Sequence, residues 1–358
     1  MIVVDAHQDI AYNALNHGRD YLLASWDKRR LEAAGNGGAD AGLAMLGLPD
    51  ALLGRVAVAF ATIFVAPASS ADGPWDEMTY TTPREAYRLA SQQMDYYHRL
   101  ADESERVTLI RTIADLDATL ATWAEGTELE DHRQGLVILM ENADPIVEPA
   151  QFEEWYERGV RIVGPAWTGT RYCGGTGQPG PLTPLGRELL DVMMSFNAIL
   201  DLSHMAEEAF LESLDIYDGV IIASHSNPRR FRNTDRHLSD MMIRRLAERD
   251  GVIGVVLYNR FLSERWSRGD PKSSVPVSVV VDAIDYICQL TGSARHVGIG
   301  SDFDGGFGAE STPDGLDSEL DLLGLAPLLA ERGYSDDDIA AILSGNMLRK
   351  LREALPES

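Results

Sequence analysis

The chain has 358 residues, 45% of them hydrophobic and 24% charged, which predicts a folded protein with a sizeable core rather than a disordered one. Its formal net charge of −25 would repel a phosphate backbone, which argues against a nucleic-acid partner. Two cysteines, Cys173 and Cys288, are too few for a disulfide framework, and a reducing compartment is the simpler expectation.

The first residues, MIVVDAHQDIAYN, enter a strand at once, without a basic n-region, a long apolar stretch or a small-residue cleavage site. No apolar run reaches the roughly 20 residues of a transmembrane helix. A soluble, cytoplasmic protein with no membrane partner is therefore expected. Going along the chain, strands are expected at Ile2–Ala6, Val56–Val65, Leu136–Met140, Val160–Val163, Ile199–Leu202, Val220–Ala223, Val252–Leu257 and Val297–Gly300. Helical patterns fall between most of them, as at Arg84–Leu100, Gly186–Phe196, Glu207–Leu214, Ser239–Arg249 and Val277–Leu290.

Such alternation is the signature of a parallel sheet with crossover helices. Eight strands over the whole length, with no linker-like change in composition, predict an α/β chain folded as one (β/α)8 TIM barrel. An open doubly wound sheet would carry a glycine-rich phosphate loop after its first strand, and none is there. Two insertions, Pro67–Thr82 and Tyr172–Pro184 (YCGGTGQPGPLTP), carry signs of irregular loops; glycine and proline density is highest in the second. That second insertion follows the Val160–Val163 strand, where barrel enzymes carry active-site loops.

Polar residues at the ends of the apolar runs carry the chemistry. In D-A-H-Q-D, residues His7 and Asp9 are two apart, a spacing that puts strand side chains on one face. An imidazole and a carboxylate there could hold a zinc ion, although the pair alone is a weak signal. His204 ends A-I-L-D-L-S-H and His225 ends G-V-I-I-A-S-H, 21 residues on, which is one short βα unit. Neighbouring parallel strands lie roughly 5 Å apart, so the two imidazoles should meet. Glu141 closes G-L-V-I-L-M-E, where a buried carboxylate needs a cation or a basic partner. Asp302, in V-G-I-G-S-D-F-D-G, is placed as a proton acceptor, and Asp304 would share its face if the strand continued, although a loop-organising role suits Asp304 better. A His–Asp set, a His–His set and a shared carboxylate would fix two ions roughly 3.5–4 Å apart with a hydroxide between them, the chemistry of metal-assisted amide hydrolysis.

Together V-V-D-A-H-Q-D, L-M-E at 139–141, L-D-L-S-H at 200–204, I-A-S-H-S-N at 222–227, R-H-L-S-D at 236–240, D-G-V-I-G-V at 250–255, V-G-I-G-S-D-F-D-G at 297–305 and G-N-M-L-R at 345–349 form a specific set. In these motifs the chain resembles the membrane dipeptidase (renal dipeptidase) family from residue 1 to about 354. The resemblance implies two zinc ions, one on His7 and Asp9, the other on His204 and His225, with Glu141 bridging. It implies that Arg236 holds the terminal carboxylate of a small peptide substrate and that Asp302 handles protons. A homodimer is the family's implication for assembly.

One position departs from the pattern. The family carries a substrate-contacting histidine after the fourth strand, and the aligned residue here is Trp167, which can donate a hydrogen bond but cannot become a cation. Arg171 or Tyr172 is then the expected substitute donor, beside the metals themselves. Tyr258, just past the seventh strand, is an expected substrate contact by position alone. The leading expectation is a zinc dipeptidase for peptides with a free C-terminal carboxylate, D-residues included. Cleavage of N-acyl amino acids or cyclic amides, and a non-catalytic metal-binding barrel, are the alternatives.

Overall fold

The computed structural model describes residues 1–35, 41–71, 73 and 76–357. Eight parallel strands close on themselves: β1 (Val3–Gln8), β2 (Val56–Phe64), β3 (Gln134–Glu141), β4 (Val160–Gly164), β5 (Ile199–Asp201), β6 (Ile221–Ala223), β7 (Val252–Val255) and β8 (Val297–Ile299). Each pairs with the next in order, and β8 pairs back onto β1 through Ile299 and Asp5. This is a (β/α)8 barrel, and its strands coincide with the eight apolar runs. Strands covered on both faces need apolar residues on both, so they read as continuous runs rather than alternating ones.

Inward-facing side chains form a compact plug. Val4, Ala6, Val58, Phe60, Val137, Leu139, Ile162, Ile199, Ile222 and Val252 pack together, and Ile110, Leu116, Met347 and Leu351 join them. The outward faces of the strands belong to a second, larger cluster shared with the helices. The longest helix, Pro83–Glu103, begins with proline at its first position and a Thr82–Glu85 capping box that satisfies otherwise unpaired backbone N–H groups. Among the described residues no helix is long and apolar enough to cross a membrane. Cys173 and Cys288 are buried, free thiols.

Three details differ from expectation. A short ninth strand, Val107–Leu109, pairs with β3 outside the barrel; three residues are too few to stand out as a periodic run. The Tyr172–Pro184 insertion is not irregular: Cys173–Gly175 and Gln178–Leu182 form an antiparallel hairpin. Glycine is what permits it, since a Cβ at Gly174 would lie 2.3–2.6 Å from the backbone of Gly180. In the other insertion Ala66–Pro67 pairs with Thr79–Tyr80 and Ala68–Ser70 is a 3-10 turn, while residues 72, 74 and 75 lie outside the described residues.

Candidate metal centre

At the C-terminal end of the barrel lies a cavity of about 440 Å³. Asp9, Glu141, His204, His225, Arg236 and Asp302 line it, with an aromatic wall of Tyr12, Phe64 and Trp167 and another of Tyr258, Phe261 and Phe307. Both insertions reach it, one through Ser70 and the hairpin through Thr176.

His7 and Asp9 meet, but not by simple strand alternation. Between Asp5 and Gln8 strand β1 advances three residues while β2 advances two, from Ala59 to Ala61. The extra residue is a bulge, a device that re-aims a side chain beside a site. Asp9 lies beyond the strand, as the residue preceding helix Ile10–His17. Its Oδ2 is 3.9 Å from His7 Nε2, and the Thr62 hydroxyl donates to its Oδ1 at 2.5 Å.

Glu141 ends β3 and is shared between two groups of nitrogen. Its Oε2 lies 3.6 Å from His7 Nε2, and its Oε1 lies 3.2 Å from His204 Nε2 and 3.3 Å from His225 Nε2. The two latter nitrogens face each other at 3.1 Å. Asp302 Oδ1 is 3.9 Å from His7 Nε2. Strand β8 does not continue to Asp302 and Asp304; it stops at Ile299, and both aspartates take left-handed backbone angles of φ 61°, as does His204 at φ 65°. Such strain in non-glycine residues concentrates at functional sites. Asp304 turns away from the histidines and organises the loop, accepting from the N–H groups of Met45 (2.9 Å) and Leu46 (3.2 Å) and pairing with Arg19 at 3.4 Å.

The electrostatics call for added positive charge. Burial disfavours a proton on His7, yet Glu141, Asp9 and Asp302 outweigh it and push its pKa up to about 10. Burial raises Asp302 well above the carboxylate range, and the charges of Asp9 and Glu141 add to this against the opposing pull of His7. Asp9 rises to about 6 through burial, again partly opposed by His7. Burial would also raise Glu141, but the His7 charge and the imidazole contacts hold it well below the usual range. Burial first, with the Arg236 charge adding to it, lowers His204 to about 4, and burial, the His7 charge and Arg236 hold His225 well below the ordinary imidazole value. Two neutral imidazoles beside an ionised carboxylate are the state that ligates metal.

Among the described residues, three overlapping sets could each hold a metal ion: His7, Asp9 and Glu141; Glu141, His204 and His225; and His7, His225 and Asp302. His7 Nε2 is buried and makes no hydrogen bond, although it faces carboxylate oxygens. Nitrogen and carboxylate donors in this arrangement suit divalent zinc or a similar transition metal.

Arg236 is buried beside this cluster, donating to the His225 carbonyl at 2.7 Å and the Ser226 hydroxyl at 3.2 Å, and it lies over the Phe261 ring. Trp167 packs edge-on to Phe64 with centroids 5.1 Å apart and lies 6.2 Å from the His204 ring. Tyr258 stacks on Phe307 at 4.3 Å. The expected substitute donors, Arg171 and Tyr172, do not line the cavity. Arg171 pairs with Asp144 and donates to the carbonyls of Ile146 and Val147, and the buried Tyr172 hydroxyl also donates to Ile146. Those carbonyls turn both side chains away from the barrel mouth.

Several contributors escaped the sequence reading. Arg268 and Phe307 sit in irregular segments after β7 and β8, and Phe261 in a four-residue helix, Asn259–Leu262, too short to show a period. Thr176 Oγ1 lies 3.0 Å from His204 Nδ1. Asp201 and Ser224 belong to the same motifs as His204 and His225, and a polar residue inside an apolar strand run was the available signal.

A closed parallel barrel with imidazoles and carboxylates gathered at its strand ends has the layout of a barrel-mouth metal site. A profile of the membrane dipeptidase family, peptidase family M19, matches residues 1–356, and the chain belongs to that family of metallo-dipeptidases. An uncharacterized dipeptidase of Schizosaccharomyces pombe is 32% identical over 206 residues, 56% of this chain and 48% of that one. A dipeptidase of Claviceps purpurea is 30% identical over 172 residues, 48% of this chain and 38% of that one. These matches span about half the relatives' length or less. Among solved structures, a dipeptidase of family M19 superposes with a TM-score of 0.80 at 22% identity, covering 100% of this chain and 99% of the other. A metallopeptidase from Rhodobacter sphaeroides, liganded with a phosphinate mimic of the dipeptide L-Ala-D-Ala, gives 0.80 at 22% identity with 99% of each chain covered. At that identity the likeness is one of fold.

Proposed function

We propose that this protein is a binuclear zinc dipeptidase that cleaves short peptides with a free C-terminal carboxylate, C-terminal D-residues included. One observation carries the reading: the two oxygens of Glu141 address separate nitrogen groups, Oε2 toward His7 and Oε1 toward His204 and His225. A carboxylate so placed is the natural bridge between two cations. In this reading His7 and Asp9 hold one ion, His204 and His225 the other, and Glu141 both. Bound ions would supply Lewis acidity and a water acidified toward neutrality.

The chain's own groups supply the rest. Arg236 offers its remaining guanidinium donors to the substrate carboxylate, a charge-assisted and geometrically matched contact. Asp302, whose Oδ1 lies 3.9 Å from His7 Nε2, accepts a proton from the attacking water and returns it to the leaving nitrogen. Trp167 and Tyr258 present aromatic walls to the side chains on either side of the scissile bond. The relative bound to an L-Ala-D-Ala mimic supports a peptide substrate and an acceptable D-residue.

A second reading is hydrolysis of N-acyl amino acids. The aromatic walls and the indole of Trp167 favour it, because an apolar acyl group needs no cationic or hydrogen-bonding partner. Metal analysis and a substrate panel separate the readings. Two equivalents of zinc and turnover of L,L- or L,D-dipeptides support the first. Turnover of N-acyl amino acids alone moves the assignment to the second, and a protein that binds no metal overturns both.

A further inference from the structure

We infer that Asp201 and Ser224 are positioning residues that set the tautomer of His225, and so decide which of its ring nitrogens can ligate. The inference rests on the reading of the site as a metal centre. Asp201 ends β5 and Ser224 follows β6, both fully enclosed below the cavity. Asp201 Oδ1 accepts from the backbone N–H groups of Ser203 (3.0 Å) and Ser224 (2.8 Å), and Oδ2 accepts from the Ser224 hydroxyl at 2.5 Å. A carboxylate only accepts, so the single hydroxyl proton is committed to Oδ2.

Only lone pairs remain on Ser224 Oγ. They face His225 Nδ1 at 2.9 Å and His7 Nδ1 at 3.4 Å, with the Ser203 hydroxyl also at 3.4 Å. For the closest of these to be a hydrogen bond, His225 must carry its proton on Nδ1. Its Nε2 then turns an open lone pair toward Glu141 and His204. Partners of this kind fix ring orientation and ligand basicity at metal sites.

The serine has no room to drift. A Cβ at Gly254 would lie 1.8 Å from the Ser224 carbonyl oxygen, and one at Gly300 would lie 2.0 Å from it, so glycines on β7 and after β8 let the backbones close around it. The same hydroxyl reaches His7, whose ring stacks on His225 with centroids 3.5 Å apart. One buried hydroxyl therefore touches an imidazole from each half of the proposed centre.

The test is Asp201→Asn, which keeps the shape and reverses one hydrogen bond. The carboxamide oxygen stays on the two backbone N–H groups, and the NH2 turns to Ser224, whose freed proton goes to His225 Nδ1, the nearest remaining partner at 2.9 Å against 3.4 Å for His7 Nδ1 and the Ser203 hydroxyl. The imidazole proton is forced to Nε2, the atom facing Glu141. Nitrogen-15 spectra of the metal-free protein should show His225 protonated on Nδ1 in the parent and on Nε2 in the variant. Zinc affinity, read by competition with a chromophoric chelator, should fall by about 10-fold or more. Ser224→Ala should weaken zinc and leave the two tautomers mixed; it decides the matter by the same readouts if Asp201→Asn does not fold. An unchanged tautomer with parental zinc affinity overturns the inference. A parent protein that fails to bind zinc counts instead against the metal-centre reading.

Discussion

His204 Nε2 and His225 Nε2 approach to 3.1 Å, and both lie within 3.3 Å of Glu141 Oε1. Two imidazole nitrogens converge on one carboxylate oxygen although their residues come from different strands. Glu141→Gln keeps the shape but removes the charge that a bridging ligand supplies. Zinc content, measured by emission spectroscopy, should fall below that of the parent, and dipeptide turnover should fall with it. Retention of full metal and full activity would remove Glu141 from the centre.

Arg236 has two donors engaged with the protein and lies against Phe261 in the cavity wall. Its contact with a substrate carboxylate is charge-assisted, worth about 1.5–3 kcal/mol, or roughly 10- to 150-fold in kcat/KM. Arg236→Ala should lose that factor on dipeptides, mainly through KM. C-terminally amidated dipeptides should start lower and change little. Equal losses on both substrates would mean that Arg236 supports the fold around His225 instead of the carboxylate.

The barrel and the centre were legible for one physical reason. Parallel strands covered on both faces must be apolar, so a histidine or carboxylate ending such a run marks the barrel mouth, as His204, His225 and Glu141 do. Backbone detail was not legible. The bulge that turns His7 inward and the left-handed angles of His204 and Asp302 leave no trace in residue spacing. Arg171 was misplaced because adjacency to the fourth strand does not reveal the carbonyls of Ile146 and Val147 that claim its guanidinium. The hairpin hid behind its own glycines, which serve here to let two backbones touch.

Arg268 lines the same cavity as Arg236 and donates to the Gly306 carbonyl at 2.7 Å. It is exposed at the mouth, so its attraction for a second substrate carboxylate is screened by solvent and worth about 0.2–1 kcal/mol. Arg268→Ala should lower kcat/KM for dipeptides with an acidic side chain by up to about 5-fold and leave apolar dipeptides unaltered. Raising the salt concentration should shrink the difference. An equal effect on both substrates would indicate a general role for the loop.

His237 supplies a pH dependence whose sign follows from its surroundings. The ring is buried, with Nδ1 2.7 Å from the Thr234 hydroxyl and its edge against Phe261. Burial first, then the charges of Arg236, Arg232 and Arg229, lower its pKa to about 3. The unfolded chain takes up this proton near the ordinary value of about 6.5, long before the folded protein does. The stabilisation is therefore complete above about 6.5 and is lost as the pH falls toward 3, at up to roughly 1.4 kcal/mol per pH unit. His237→Gln removes the titration, so the stability gap between parent and variant should shift against the parent between pH 6.5 and 4 in urea unfolding. Carbon-13 spectra should show the His237 ring neutral at pH 5. A ring that titrates near 6.5 in the folded protein, or a gap constant across that range, would contradict the assignment.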